Sequence, residues 1–311
     1  MYDFRTDLAD ERRNLYKKIN QIQQEIPGIK TEEEDVDEKI KITRVEIQNE
    51  QGAEALGKPV GNYITIDIKK LNIITEEEIQ KAAESTAKEI KARIDHLVNE
   101  KDDILVVGLG NSDVTPDALG PKVVKHIEVT RHIIRYLPQY IDENARPVSA
   151  VAPGVLGTTG IETLEIVQGI VENIKPKLLI VIDALASNSM ERISSTIQIA
   201  DTGIVPGAGV GNTRKEISQK TLGIPVIAIG IPTVVETAVV VNEALDLLIE
   251  KYQQEAKSND ALNQMKEKDN YEEIKEALIP KDYNFIVTPK EIDQLIMNMS
   301  KVVAKAINMA F

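Results

Sequence analysis

Residues 104–110 read Ile-Leu-Val-Val-Gly-Leu-Gly, an apolar run with no polar position until glycine closes it. Alternation would mark a strand with one wet face, and an unbroken run marks a strand buried on both. Two further runs share the character, LLIVID at 178–183 and VIAIG at 226–230. Helical segments are expected between them, from about Asp117 to Val129 and from about Gly160 to Asn173. Strand, helix and strand in succession predict an α/β fold, a mainly parallel twisted sheet covered by helices on both faces. A short strand, STIQIA at 195–200, precedes a glycine-rich loop, and Pro232 to about Glu250 reads as the next helix.

Toward the N-terminus the pattern changes. Leu8 to about Lys30 is charged and helix-prone, with Leu8, Leu15, Ile19, Ile22 and Ile26 at loosely helical spacing until Pro27 and Gly28 stop it. Glu32 to Glu38 holds six acids in seven residues and reads as a solvated turn. Ile40, Ile42, Val45 and Ile47 alternate, and YITIDI follows after GAEALGKPVGN, so a pair of hairpin-type strands is expected. Thr75 and Glu78 make a capping box for a helix whose apolar face is Ile79, Ala83, Ala87, Ile90, Ile94 and Leu97, with His96 beside it in a structural role. The chain thus divides into a helix and hairpin (8–74), a core (75–250), a polar excursion (251–284) and a last helix (288–311). That helix should be capped by Thr288, Pro289 and Glu291 and should pack through Ile292, Leu295, Ile296, Met299, Val302, Val303 and Ile307.

Composition narrows the chemistry. With no cysteine among 311 residues there is no thiol nucleophile, zinc ribbon or disulfide framework, and only three histidines are present. The balance of 37 basic against 50 acidic residues, a formal −13, argues against a nucleic-acid partner. No apolar run approaches the roughly 20 residues that span a bilayer. The start MYDFRTDLADERR lacks the apolar stretch of a signal peptide, so a cytoplasmic location is expected.

In an open parallel sheet ligands bind beyond the carboxyl ends of the strands. The residues there are acidic: Asp117 follows the first run through SDVTP, Asp183 ends the second, and Asp201 ends STIQIA. Asp117 alone could be a helix N-cap, but a carboxylate terminating a fully apolar strand needs a partner or a function. Two acids close together split their ionisations, so that one activates water while the other donates a proton; the same two could hold a divalent cation. The residues leave that choice open and require no other cofactor. HExxH and GxSxG are absent, His126 falls in the first covering helix, His132 after it reads as a surface or core residue with a third metal ligand as the alternative, and neither GLGN nor GAGVGNTRK completes a phosphate motif. The loops around the strand ends nominate Asn111, Thr115, Thr159, Asp201, Gly207, Gly209 and Arg214 as substrate contacts.

Taken together, GLGNSDVTPDALGP, RPVSAVAPGVLGTTGIET, VIDALA, STIQIADTGIVPGAGVGNTRKE and VIAIGIPTVV resemble the germination proteases of endospore-forming bacteria, peptidase family A25. The resemblance implies an endopeptidase acting on small acid-soluble spore proteins in the spore core. It also implies a fold similar to that of the hydrogenase-maturation proteases, a homotetramer, and two essential aspartates falling on Asp117 and Asp183. Such enzymes are made as zymogens and cut after the first Glu of sequences like Thr-Glu-(Ile/Phe)-Ala-Ser-Glu. Thr6, Asp7, Leu8, Ala9, Asp10 and Glu11 match by residue class, which implies self-cleavage between Asp7 and Leu8, a propeptide of 1–7 and a mature domain of 8–311. Acid on both sides of the cut calls for a basic element, with Arg131, Arg192, Arg214 and Lys215 as candidates. The chain departs from the family at Ser187, Asn188 and Ser189, where an arginine is expected shortly after the alanines. Two other classes compete: a phosphate- or nucleoside-binding α/β protein, and a maturation protease trimming one partner around bound nickel, from which the TDLADE string sets this chain apart.

Overall fold

The computed structural model describes residues 6–69, 75–207, 214–255, 270–281, 283 and 285–311. The first part of the chain forms α1 (Ala9–Ile19), β1 (Ile29–Asp35), β2 (Ile40–Ile47), α2 (Glu50–Leu56), β3 (Gly61–Ile68) and α3 (Glu76–Leu97). The middle follows as β4 (Ile104–Gly108), α4 (Leu119–Val124), α5 (Arg131–Tyr136), β5 (Val148–Val151), α6 (Leu156–Thr159), α7 (Thr163–Ile174), β6 (Leu178–Ala186) and β7 (Thr196–Ala200). The remainder is α8 (Gln219–Leu222), β8 (Val226–Glu236), α9 (Thr237–Glu255), α10 (Tyr271–Leu278), β9 (Ile286–Val287) and α11 (Ile292–Ala310).

The α/β class holds, but the sheet is mixed. Its order is β1-β2-β3-β7-β8-β6-β4-β5, with β9 added to β8. The strands β8, β6, β4 and β5 are parallel to one another, whereas β7, β3, β2 and β1 pair antiparallel. The three apolar runs therefore form the parallel half that they signal, and the alternating strands extend it as a meander through β7. Both faces are covered, which is why those runs have no polar positions. Ile104, Val106, Ile180, Ile182 and Ile229 pack with α3, α4 and α11 on one face. Leu105, Val107, Leu179, Val181 and Ala228 pack with α7 on the other. The α11 stripe is buried as expected, and each such apolar side chain contributes about 1.5–3 kcal/mol.

Several local expectations are corrected. The acidic stretch is not a turn: Glu32 to Asp35 belong to the edge strand β1, paired with β2. Basic residues compensate the acids there, Lys41 bonding Glu33 at 2.6 Å and Arg44 bonding Glu34 at 2.7 Å. The helix expected from Asp117 to Val129 shrinks to a 3-10 turn, Thr115–Asp117, followed by the short α4. Helix α7 begins at Thr163 rather than Gly160. Pro232 lies inside β8, which runs on to Glu236 before α9 begins. Thr288 does not cap α11, because its hydroxyl donates to the Thr233 carbonyl at 2.8 Å. The capping box of Thr75 and Glu78 forms as read. Within the polar excursion, α10 is ordered helix and residues 256–269 lie outside the described residues.

Candidate active site

Two glycine contacts bring the first acid to the strand ends. A Cβ on Gly108, at the end of β4, would lie 2.2 Å from the Gly120 carbonyl oxygen, so the strand and α4 touch backbone to backbone. Gly110 has φ +110°, and a Cβ there would lie 2.0 Å from the Asp117 carbonyl oxygen. The loop closes on itself as the Asn111 amide donates to Asp117 Oδ2 at 2.8 Å. Replacing Gly110 with alanine should therefore cost about 1–3 kcal/mol in backbone strain. Denaturant unfolding of the variant measures that cost.

Asp183 lies opposite Gly230 of β8, on the face covered by α7. It is 6% exposed, and its Oδ1 accepts the Ala184 amide at 2.9 Å. Burial holds its carboxyl well above the usual carboxylate range, and the neighbouring charges of Asp117 and Asp7 push the same way. Burial also raises Asp117, against the pull of the Asn111 amide. Two interacting carboxyls, one held much higher than the other, can divide the roles of proton donor and proton acceptor.

Both acids line one cleft of about 620 Å³, with Asn111, Gly207, Arg214 and Asp7 among the other lining residues. Three nominated contacts stand elsewhere. Thr115 donates to Asp293 at 3.0 Å, and Thr159 donates to the carbonyls of Val155 and Ile161. Asp201 is held by the backbone amide and side chain of Asn62 at 2.8 and 2.7 Å. Gly209 lies outside the described residues. Among the basic candidates, Arg131 pairs with Asp103, Lys215 pairs with Glu165, and only Arg214 lines the cleft. His132 is exposed. Among the described residues, no group of three His, Asp or Glu side chains is placed to hold a metal ion.

The chain's own N-terminal segment lies against this site. The Asp7 amide donates to the Ala186 carbonyl at 3.2 Å, and the Ala186 amide donates to Asp7 Oδ2 at 3.1 Å. Leu8 and Ala9 are completely buried. Glu11 accepts from the Ser187 hydroxyl at 2.9 Å and from the Asn188 amide at 2.8 Å. Ser187 and Asn188 thus hold an acid through a hydroxyl and a backbone amide. Arg192 reaches the same segment from the turn after β6, 2.6 Å from Asp10 and 3.6 Å from Glu11. Half-buried Lys58 faces a smaller cavity that Asp7 and Arg12 also line; desolvation pushes its ammonium down to about 7, with Arg12 adding to the effect.

The germination protease family, peptidase A25, matches the chain over residues 6–265 and 260–311. The chain belongs to that family. A germination protease of Clostridium perfringens is 48% identical over 316 residues, spanning 100% of this chain and 95% of its own. One from Bacillus cereus is 40% identical over 345 residues, spanning 99% and 94%. Among solved structures, a nickel-iron hydrogenase maturation protease from Thermococcus kodakarensis covers 44% of this chain and 78% of its own at 19% identity and a TM-score of 0.29. The protein functions as a germination protease, a peptide-bond hydrolase. No helix among the described residues is long and apolar enough to cross a membrane.

Proposed function

We propose that this protease hydrolyses small acid-soluble spore proteins in the spore core through Asp117 and Asp183, and that it matures by cutting its own chain between Asp7 and Leu8. Residues 1–7 would then be the propeptide and 8–311 a single protease domain assembling as a homotetramer. The observation that carries the reading is Asp7, which lines the same cleft as both acids within a segment that matches the substrate pattern. Asp183, held higher, keeps its proton and serves as the acid. Asp117 loses its proton first and serves as the base toward water. Acid lost as pH rises through the Asp183 value, and base lost as pH falls through an Asp117 value above the ordinary 3.8, make the pH profile a bell.

Intact-mass measurement on the full chain held at mildly acid pH tests the processing step, with Asp117→Asn as control and a strong chelator in a parallel arm. Residues 1–7 should leave the wild-type chain and stay on the variant. Enzyme that cleaves spore protein with its N-terminus intact would refute the cut. Activity lost to chelator and restored by a divalent ion would replace the carboxylate pair with a metal-bound water held by the same two acids.

A further inference from the structure

Gln198 stands on β7, 6% exposed, and both ends of its carboxamide touch the N-terminal segment. Its Nε2 donates to the Asp7 carbonyl oxygen at 3.1 Å. Its Oε1 accepts the Ala9 amide at 2.7 Å. The two bonds bracket the Asp7–Leu8 peptide, one on the carbonyl before it and the other on the second amide after it.

The sheet register brings this side chain to the site. Gln198 pairs with Gly230 across β7 and β8, and Gly230 pairs with Asp183 across β8 and β6. Residues directly opposite on neighbouring strands share a face. Gln198 and Asp183 therefore stand on one face, their Cα atoms about 10 Å apart across two strand spacings, with a glycine between them. Leu185 fills the space above that glycine, where a Cβ would lie 2.3 Å from Leu185 Cδ1. Asp7 spans the gap, its amide bonded to the end of β6 and its carbonyl bonded to the Gln198 side chain of β7.

We propose that Gln198 is a catalytic residue of the peptidase reaction, the donor that stabilises the negative oxygen formed from the carbonyl before the cut. The proposal rests on the Asp7–Leu8 cut argued above. Water oxygen bonds to the Asp7 carbonyl carbon while one water proton passes to the Asp117 carboxylate, and the carbonyl π pair moves onto oxygen, facing Gln198 Nε2. As the carbon–nitrogen bond breaks, that pair re-forms the C=O of a new carboxyl group. The Leu8 nitrogen leaves with the bonding pair and takes the proton of Asp183. An amide donor gains strength as its acceptor becomes charged, so the bond favours the transition state over the ground state.

The test uses the full chain carrying Gln198→Met or Gln198→Glu, with first-order loss of residues 1–7 followed by intact mass and the fold followed by thermal melting. Methionine keeps the bulk and removes donor and acceptor. Glutamate keeps the acceptor for Ala9, and it can donate only when protonated. Both variants should remain folded and cut roughly 10²–10³-fold more slowly with the melting temperature held, and the glutamate variant should recover rate as pH falls and its carboxyl regains a proton to donate. Wild-type rate in either folded variant, with the cut still at Asp7–Leu8, overturns the role of Gln198 and leaves the cut standing. A wild-type cut at another bond overturns the cut itself. Loss of rate that follows loss of the folded state in both variants would make Gln198 an anchor for α1 and also overturn the proposal.

Discussion

Asp183→Asn should slow peptide cleavage by orders of magnitude and at the same time make the protein more stable at neutral pH. The activity arm follows from the acid role proposed for Asp183: removing a positioned proton donor costs about 10²–10⁴-fold, and asparagine has no proton to give at any accessible pH. The stability arm follows from the burial of the carboxyl. A carboxyl whose folded value is raised binds its proton more tightly in the native state than in the unfolded chain. Its favourable contribution is complete below the ordinary 3.8 and is lost as pH climbs through the raised folded value. Each unit of elevation then costs about 1.4 kcal/mol at high pH. Asparagine keeps the oxygen that accepts the Ala184 amide and carries no charge to desolvate, so the cost disappears. Melting curves of variant and wild type should converge near pH 4 and separate toward pH 8, with a gain of roughly 2–4 °C for each kcal/mol recovered. A variant that melts below wild type at pH 8 would show that the carboxylate is compensated by something other than the groups described here. Full cleavage by the variant would remove Asp183 from the chemistry.

The sequence makes the two acids legible because both follow apolar runs, and buried strands concentrate whatever polar chemistry they carry at their ends. The same logic nominates Asp201, which also ends a strand; but β7 runs antiparallel to β8, so its end lies at the edge where β8 begins, and Asn62 holds the carboxylate there. Strand direction is a property of the whole topology, and STIQIA by itself carries no sign of it. The edge strand β1 is hidden for a related reason. Four consecutive acids look solvated until the lysine and arginine of the neighbouring strand are known to lie against them. Gln198 escapes motif reading altogether, since its importance depends on a register that sets it in one row with Gly230 and Asp183 and on a segment nearly 190 residues away reaching the same row. In the sequence Arg192 is one cation among several, and its meaning comes from what it meets.

Arg192→Met should loosen the N-terminal segment and destabilise the protein by about 3–5 kcal/mol, the usual consequence of stranding buried charge by deleting its partner. Arg192 lies within ion-pair distance of Asp10, Glu11 and Asp67, at 2.6, 3.6 and 3.2 Å. Hydroxyls complete the shell, with Thr65 donating to Asp10, Thr196 to Asp67, and Thr6 and Ser187 to Glu11. Burial raises both Glu11 and Asp67, and in each case the Arg192 charge is the main opposing pull. Without that charge both carboxyls rise further. The sign of the pH dependence follows: a raised carboxyl supports the fold below its ordinary value, 4.5 for Glu11 and 3.8 for Asp67, and loses that support as pH rises through the folded value. The deficit of the variant should therefore be small near pH 4 and grow toward pH 8, and denaturant unfolding at the two extremes measures it. A methionine of similar length fills the space, so the comparison isolates charge from packing. Because Asp10 and Glu11 tie down the segment that carries Asp7, the proposed self-cleavage should fall in the variant in parallel with stability as pH rises. An unfolding deficit that is the same at both pH values would mean that the guanidinium serves here by its bulk and its hydrogen bonds, and that the acids around it are neutral across the range.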